Sequence, residues 1–281
     1  MRIEINSKKA LENYMRIKKE LPNAIIAYAI KANYDQKILE LLAKNDCLAE
    51  VCSEYEHKIA IKNGFKKIIR NGYAPKGTAW LTNVETIEDR TIIKGLIGAR
   101  LRLDTKSKLG IDESEILKNR WDAVAIHTRE DFENSLKKAE TIADKTGAQY
   151  IDAGGNYNTE KIQILKRVKH ELIIEPGREI VANTTRIITK VLAIKENKII
   201  TDCGMNLLNK FADNKYIVNA KGTKNHTYKI YGPIPTELDN IGTHNLPLLK
   251  KGDEITIENA GAYTLSMFSP WTQPKPRIKY I

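Results

Sequence analysis

Short apolar segments rich in β-branched residues alternate with helical segments over the first part of this chain, up to about residue 185. The segments 35–44 and 130–146 have the apolar spacing of amphipathic helices. Strands that alternate with helices are typical of βαβ units, which build a parallel sheet. Strands are predicted at residues 24–30, 66–72, 98–104, 123–128, 148–155 and 171–177.

The pattern changes after residue 185, where short β-branched strands and turns follow one another with little helix. Typical segments are RIITKVLAI, KIITDCG, YKIYGPI and DEITIENAGAYTL. Such strands separated by turns predict an all-β part. The sequence therefore predicts two domains, an α/β domain over residues 1–185 and a β-domain over residues 186–281.

The composition excludes several classes of protein. No stretch of the 281 residues approaches the roughly 18 uncharged apolar residues of a membrane span. The N-terminus is charged from its second residue and has no apolar signal segment, so a cytoplasmic location is expected. The three cysteines are scattered and form no CxxC pair, which predicts neither a disulfide framework nor a metal site.

Lysine and arginine outnumber aspartate and glutamate by 46 to 35, which gives a net charge of +11. A strongly basic chain can bind nucleic acid or another polyanion. Here the basic residues are spread along the chain and interleaved with acids, without aromatic spacing. This favours a solvated lysine-rich surface with no nucleic-acid and no membrane partner. A nucleic-acid-binding protein is kept as an alternative.

Four of the predicted strands end in residues that suit a ligand site. The C-terminal ends of parallel strands meet at one edge of a sheet, where loops and helix N-termini gather. Burial there lowers the pKa of a lysine and suits it to Schiff-base chemistry. Each residue alone has an ordinary structural explanation, but together they predict a site. They are Lys31, His127, Gly154 with Gly155, and Glu175 with Arg178.

The chain also contains a series of short motifs in a fixed order. They are YAIKAN at 28–33, SKLG at 107–110, His127, DAGG at 152–155, EPGR at 175–178, DCGMN at 202–206, GP at 232–233 and GAY at 261–263. Together they resemble the fold-type III pyridoxal-phosphate decarboxylases, which include diaminopimelate, ornithine and arginine decarboxylases. The resemblance extends over residues 24–281, and DCGMNLLNK is similar to the diaminopimelate branch.

The resemblance implies an alanine-racemase-like (β/α)8 barrel, here shortened, followed by a C-terminal β-domain. It also implies a homodimer with shared active sites and the cofactor pyridoxal 5'-phosphate. Glycine turns at strand ends can bind a phosphate, and a carboxylate beside the pyridine nitrogen favours its protonated, electron-accepting form.

Roles for individual residues follow from the same resemblance. Lys31 would form the Schiff base, His127 would stack on the pyridine ring, and Glu175 would pair with the ring nitrogen; these are the three predicted catalytic residues. The residues that would hold the phosphate are Gly154, Gly155, Gly177, Arg178 and Tyr263.

One departure from the family pattern concerns the proton donor. Relatives have a cysteine after Gly-Pro-x that helps to protonate the carbanion, whereas this chain has Pro235, which has no side-chain proton. Lys31, water, Cys52 or Cys203 would then supply the proton, or the reaction would differ.

A second departure concerns the phosphate site. The usual HxGS segment is His127-Thr128-Arg129-Glu130 here, and the third glycine of the phosphate turn is Asn156. A phosphate contact is lost, and Arg129 or Asn156 would replace it.

The substrate is inferred from three further residues. Lys210 lies where the diaminopimelate branch has an arginine for the distal carboxylate, and Glu237 and Asp239 lie near the position of the residue that meets the distal ammonium. The predicted function is decarboxylation of a diamino acid, diaminopimelate-like or ornithine/lysine-like, through Lys31. A racemase or epimerase on the same scaffold and a non-catalytic pyridoxal-phosphate-binding protein are the alternatives.

Overall fold

The structure is a computed structural model that describes residues 1–73, 77–128, 130–208 and 214–281. Two compact units are found, one formed by Leu11–Ile180 and the other by Met1–Ala10 together with Val181–Ile281. The chain begins with strand β1 (Arg2–Ile5), followed by helix α1 (Ser7–Glu20).

Eight parallel strands close into a barrel in the unit Leu11–Ile180. They are β2 (Ile25–Ala29), β3 (Leu48–Val51), β4 (Ile68–Asn71), β5 (Leu81–Val84), β6 (Leu96–Arg100), β7 (Ala123–His127), β8 (Tyr150–Gly154) and β9 (Glu171–Ile174). Neighbours pair in chain order, and β9 closes the ring by pairing with β2. The barrel implied by the resemblance is therefore confirmed.

The helices around the barrel explain how it fits into so short a chain. A (β/α)8 barrel typically takes about 250 residues. Here α4 (Glu113–Ile116) is a single turn, and a 3₁₀ helix at Glu88–Ile92 connects β5 to β6. The predicted helices at 35–44 and 130–146 are α2 (Gln36–Lys44) and α5 (Phe132–Thr146). The helices after α1 are α2 (Gln36–Lys44), α3 (Glu54–Lys62), α4 (Glu113–Ile116), α5 (Phe132–Thr146), α6 (Thr159–Leu165) and α7 (Arg178–Val181).

The interior of the barrel consists of an apolar layer below a polar one. Ala27, Ile69, Leu81, Ala123 and Ile173 form a fully buried cluster, with apolar residues such as Leu48 and Tyr150 packed against it. Side chains two residues apart on a strand point the same way. The residues two positions further along therefore form the next layer, at the C-terminal end. We call this the polar layer, and it comprises Glu50, Asn71, Asn83, Asp152 and Glu175.

The second unit is an eight-stranded sheet of short strands. Its later strands are β10 (Thr185–Lys195), β11 (Lys198–Thr201), β12 (Ile217–Asn219), β13 (His226–Tyr231), β14 (Asn240–Leu246), β15 (Glu254–Glu258) and β16 (Arg277–Tyr280). Six of them follow the order β12-β15-β10-β11-β13-β14, while β1 pairs with β10 and β16. The predicted C-terminal β-domain is confirmed. The first ten residues, which the sequence assigned to the α/β part, contribute β1 to this sheet.

No described helix combines the length and the apolar character needed to cross a membrane.

Candidate active site

Lys31 lies just after β2, in a 3₁₀ turn formed by Ile30–Ala32. Its amino group donates a hydrogen bond to Oε2 of Glu50, and it lies 3.3 Å from Sγ of Cys52. The Glu50 side chain is 1% exposed, whereas that of Lys31 keeps 35% of its surface open to solvent. The lysine is thus at the ligand-binding end of the barrel, with two partners from the neighbouring strand.

The pKa of Lys31 differs from the sequence prediction, which was a lowered value. Burial is the largest single influence and opposes the ammonium, but the surrounding negative groups, led by Glu50, together outweigh burial and raise the pKa of Lys31 well above its ordinary value. Burial likewise opposes the charge of Glu50, yet the Lys31 ammonium holds the pKa of that carboxyl below its ordinary value. The two groups form an ion pair, so Glu50 governs when Lys31 loses its proton.

Two asparagines connect the carboxylates of the polar layer. The side-chain amide of Asn71 donates to Oε1 of Glu50 at 3.0 Å and to Oε1 of Glu175 at 2.7 Å. Asn83 donates to Oδ1 of Asn71 at 2.9 Å and to Oδ2 of Asp152 at 2.6 Å. Because β5 and β8 are not neighbours, the last of these bonds crosses the barrel interior. A continuous network therefore extends from Lys31 to Glu175.

Asp152 and Glu175 are two buried carboxyl groups at the far end of this network. Burial and the nearby Glu175 raise the pKa of Asp152 well above its usual range, which favours the neutral form of Asp152. Burial and the negative charge of Glu50 raise the pKa of Glu175 to about 7. Glu175 can therefore exist in either protonation state, and a neighbouring cation would stabilise its charged form.

His127, Gly154 and Glu175 come together at the ends of β7, β8 and β9. A methyl group on Gly154 would lie 2.5 Å from Nδ1 of His127 and 2.9 Å from Oε2 of Glu175. Gly155 has φ +131°, and a methyl group there would lie 2.4 Å from the carbonyl oxygen of Thr128. Only glycine leaves room at these two positions, so the backbone itself lines this part of the site.

The segment Glu175-Pro176-Gly177-Arg178 packs beside the lysine turn. The N–H of Ala29 donates to the carbonyl of Pro176 at 3.1 Å. A methyl group on Gly177 would lie 3.1 Å from Cβ of Ala32. Arg178 then begins the short helix α7. Gly177 and Arg178 are thereby placed near the predicted lysine, at the same end of the barrel.

The sheet unit contains the remaining predicted site residues. Tyr263 has a left-handed backbone with φ 60°, which is unfavourable for an aromatic residue and is often found at functional positions. Glu237 is exposed. Asp239 is fully buried, and its carboxylate accepts N–H groups of Met205 at 2.5 Å and Ile234 at 2.9 Å. Asp239 thus fixes its own turn, and its predicted substrate contact stays a prediction.

Two residues named from the sequence, Lys210 and Arg129, lie outside the described residues. Asn156 is exposed.

The donor set at the end of the barrel fits pyridoxal phosphate. An aldehyde needs an amine, which Lys31 provides, and a protonated pyridine needs a buried carboxylate, which Glu175 provides. At Gly154 and Gly155 the bare backbone approaches His127, Glu175 and Thr128 so closely that any side chain would clash with them.

Sequence reasoning missed most of the polar layer. Glu50, Asn71 and Asn83 lie in short strands whose polar residues interrupt the apolar pattern. Their spacing held a usable signal, since each follows a buried or partly buried apolar residue by two positions. Cys52, proposed from the sequence only as one of several proton donors, contacts Lys31.

Comparison with known proteins agrees with this geometry. The family model described as "Pyridoxal-dependent decarboxylase, C-terminal sheet domain" matches residues 34–261. The chain is 26% identical to the diaminopimelate decarboxylase of Aquifex aeolicus, over 95% of this chain and 82% of that protein. It is 28% identical to that of Helicobacter pylori, over 90% of this chain and 82% of that protein.

A solved structure has the same fold. The crystal structure of Helicobacter pylori diaminopimelate decarboxylase complexed with L-lysine superposes with a TM-score of 0.87, at 24% sequence identity, over 100% of this chain and 91% of that chain. The resemblance inferred from the motifs is confirmed, because the family model covers most of the chain. The chain therefore belongs to the pyridoxal-dependent decarboxylases, a family of carboxy-lyases whose cofactor is pyridoxal phosphate.

Proposed function

We propose that this chain removes CO2 from a diamino acid, with diaminopimelate as the first candidate and ornithine or lysine as shorter ones. The observation that carries the proposal is the network that joins Lys31, through Glu50 and Asn71, to the buried Glu175. The diaminopimelate decarboxylases of Aquifex aeolicus and Helicobacter pylori support the choice of substrate. So does the L-lysine in the similar crystal structure.

The residues of the barrel would hold the cofactor at its two ends. Lys31 would bind the aldehyde carbon, and His127 would cover one face of the ring. Gly154, Gly155, Gly177 and Arg178 would hold the phosphate, together with Tyr263 from the sheet unit. When bound, pyridoxal phosphate supplies a ring that accepts the electron pair left at the α-carbon when CO2 departs.

Glu175 would control how strongly the ring attracts electrons. A charged Glu175 would pair with a protonated ring nitrogen, and the hydrogen bond from Asn71 stabilises that charge. The pKa of the neighbouring Asp152 is raised by burial and by Glu175, so its neutral form is favoured and could donate to Glu175. Lys31 has to lose a proton before it can attack a carbonyl carbon, and the charge of Glu50 opposes that loss because it stabilises the ammonium.

The substrate's distal end would be recognised by residues of the sheet unit. Lys210 would meet a distal carboxylate, and Glu237 or Asp239 would meet a distal ammonium. We also propose a homodimer with shared active sites, located in the cytoplasm. Mixing inactive Lys31→Ala and Tyr263→Ala proteins tests the sharing, because a hybrid dimer regains activity at one of its two sites only when the two residues of a site come from different subunits.

A CO2-release screen tests the function. The protein is loaded with pyridoxal phosphate and incubated with diaminopimelate isomers, L- and D-lysine, L- and D-ornithine, arginine and glutamate. We expect release from one diamino acid and none from glutamate. Chiral analysis of the remaining substrate distinguishes a racemase, which would change configuration without releasing CO2.

Lysine variants provide the matched control. Lys31→Ala should abolish both CO2 release and the borohydride-reducible visible band. Lys66→Ala should change neither, because Lys66 forms a surface ion pair with Asp46 and its side chain is 80% exposed. A reducible band that persists in Lys31→Ala would contradict the role of Lys31.

A further inference from the structure

Cys52 is a thiol in direct contact with the ion pair of the site. Its Sγ lies 3.3 Å from Nζ of Lys31 and 3.0 Å from Oε1 of Glu50. Its backbone N–H donates to Oε2 of Glu56 at 2.6 Å, and Glu56 also accepts the hydroxyl of Tyr34 at 2.9 Å. The residue is exposed at the C-terminal end of β3. The thiol is therefore both fixed in position and open to a ligand.

The other two cysteines have ordinary core environments. Cys47 is 3% exposed and Cys203 is 1% exposed. The Sγ of Cys47 lies within hydrogen-bond distance of the backbone carbonyls of Ile26 and Leu48. Of the three thiols, Cys52 is the one placed against the lysine that binds the cofactor.

The Cys52 side chain is a protonated thiol, the form that a proton donor needs. The protein atoms around Sγ limit its hydration, and together with the negative charge of Glu50 they raise the pKa of the Cys52 thiol well above its usual range. A nucleophilic cysteine needs the opposite shift, because the thiolate is the reactive form. The Cys52 thiol keeps its proton at neutral pH, and its hydrogen bond to Glu50 orients that proton.

We propose that Cys52 is the catalytic acid that protonates the α-carbon after CO2 leaves. This role rests on the proposed decarboxylase function. The C–COO⁻ bond breaks and its electron pair stays with the α-carbon. The Sγ–H bond then breaks, the new C–H bond forms, and Cys52 is left as a thiolate. The ammonium of Lys31 returns a proton to Sγ, which leaves Lys31 as the neutral amine that releases the product.

The distance between the Cys52 thiol and the substrate's α-carbon can be inferred from the contact between Cys52 and Lys31. The substrate amine and Nζ of Lys31 compete for the same cofactor carbon, so they occupy neighbouring places in turn. The α-carbon is one bond away from the substrate nitrogen. A thiol at 3.3 Å from Nζ is therefore within reach of the α-carbon. The segment around Pro235 supplies no thiol of its own.

Deuterium incorporation tests the proposal. The reaction is run in D2O with Cys52→Ala, Cys52→Ser and, as the matched control, Cys203→Ala. In the wild type and in Cys203→Ala, we expect one deuterium of a single configuration at the carbon that lost CO2. In Cys52→Ala and Cys52→Ser, we expect kcat to fall about 10- to 100-fold and the deuterium to lose its single configuration.

A second measurement does not depend on turnover. In the cofactor-free protein, prolonged treatment with iodoacetamide should alkylate the exposed Cys52, slowly because its thiol keeps its proton, and added pyridoxal phosphate should protect it by covering the thiol. Mass spectrometry of the digested protein identifies the modified cysteine. Absence of protection would overturn the assignment, since the thiol would then be too far from the bound cofactor.

The outcomes separate this role from the function on which it rests. A wild type that releases CO2, with Cys52 variants equal to it in kcat and in deuterium configuration, overturns the role of Cys52 alone. A wild type that releases no CO2 from any diamino acid overturns the proposed function and this role together. Cys52→Ser, which keeps the size of the side chain, covers the case in which Cys52→Ala fails to fold.

Discussion

The buried carboxyl groups of Asp152 and Glu175, on the neighbouring strands β8 and β9, lie close enough for each to shift the pKa of the other. Two buried carboxyls this close cannot both be charged without a large cost, so one of them keeps a proton. Burial and the nearby Glu175 raise the pKa of Asp152 well above its usual range, which favours the neutral form of Asp152. A neutral Asp152 can donate a hydrogen bond to Glu175 and so help Glu175 to carry the charge that a protonated pyridine needs.

Replacing Asp152 should lower kcat/KM on the acidic side of its pH profile. In Asp152→Ala, the pKa of Glu175 rises because its charged form loses a hydrogen bond, and kcat/KM at pH 7 should fall about tenfold. Asp152→Asn is the matched control, since its amide N–H can replace the lost donor. Profiles of kcat/KM from pH 6 to 9 check this prediction. Equal profiles for the two variants would contradict it.

The raised pKa of Glu175 also makes the cofactor-free protein less stable as the pH rises. Folding raises the pKa of Glu175 from an ordinary 4.5 to about 7. The native state therefore binds this proton more tightly than the unfolded state does. The stabilisation is complete below pH 4.5 and is lost as the pH rises through 7, an effect of about 3 kcal/mol.

Urea unfolding of the cofactor-free protein between pH 4.5 and 8 measures this effect. Glu175→Gln cannot titrate, so its free energy of unfolding should decline less over this range than that of the wild type. Glu171→Gln, an exposed position on the same strand, is the control and should follow the wild type. A decline as steep in Glu175→Gln as in the wild type would assign the pH dependence to other groups.

Replacing Glu50 by a neutral residue should make Lys31 easier to deprotonate. In Glu50→Gln, the pKa of Lys31 falls because the largest favourable charge on the ammonium is gone. The cofactor-free variant should bind pyridoxal phosphate covalently about tenfold faster at pH 7 than the wild type does. Borohydride trapping of the covalent product at successive times measures this rate. Glu56→Gln is the control, because Glu56 contacts Tyr34 and the backbone of Cys52. A rate unchanged by Glu50→Gln would show that Lys31 deprotonation is not limiting.

The sequence predicted six of the eight barrel strands and missed β3 and β5. The missed strands, LAEV and LTNV, have Glu50 and Asn83 on their inner face, so neither shows a continuous apolar segment. The same residues belong to the network around Lys31. In these two strands, residues of the site therefore interrupt the apolar pattern from which a strand is predicted. Correctly predicted strands such as β2 and β7 have an alanine on their inner face, at the level in the barrel where β3 and β5 have Glu50 and Asn83.

Other features depended on contacts that no local pattern contains. Strand β1 pairs with residues 185–188 of β10, far along the chain. The pKa of Lys31 depends on Glu50 and on Glu175, which are brought together only when the barrel closes. Local reasoning placed the lysine at a buried strand end and therefore predicted desolvation alone. The identity of its neighbours reversed the direction of the shift.

The packing of Gly98 beneath the polar layer gives a prediction that involves no charge. A methyl group at Gly98 would lie 2.0 Å from Oδ1 of Asn83. Asn83 is fully buried, so its amide cannot turn away to solvent. Gly98→Ala should therefore displace Asn83 from Asp152, lower kcat/KM, and reduce the free energy of unfolding by about 1–3 kcal/mol.

A double-mutant cycle decides whether Asn83 is the cause. Asn83→Ala removes the clash, so Gly98→Ala should cost much less stability in the Asn83→Ala background than in the wild type. Urea unfolding of the wild type, both single variants and the double variant gives the coupling energy directly. Equal costs in the two backgrounds would mean that the added methyl group is opposed by Ala123, whose Cβ would lie 3.1 Å away, rather than by the network that reaches Lys31.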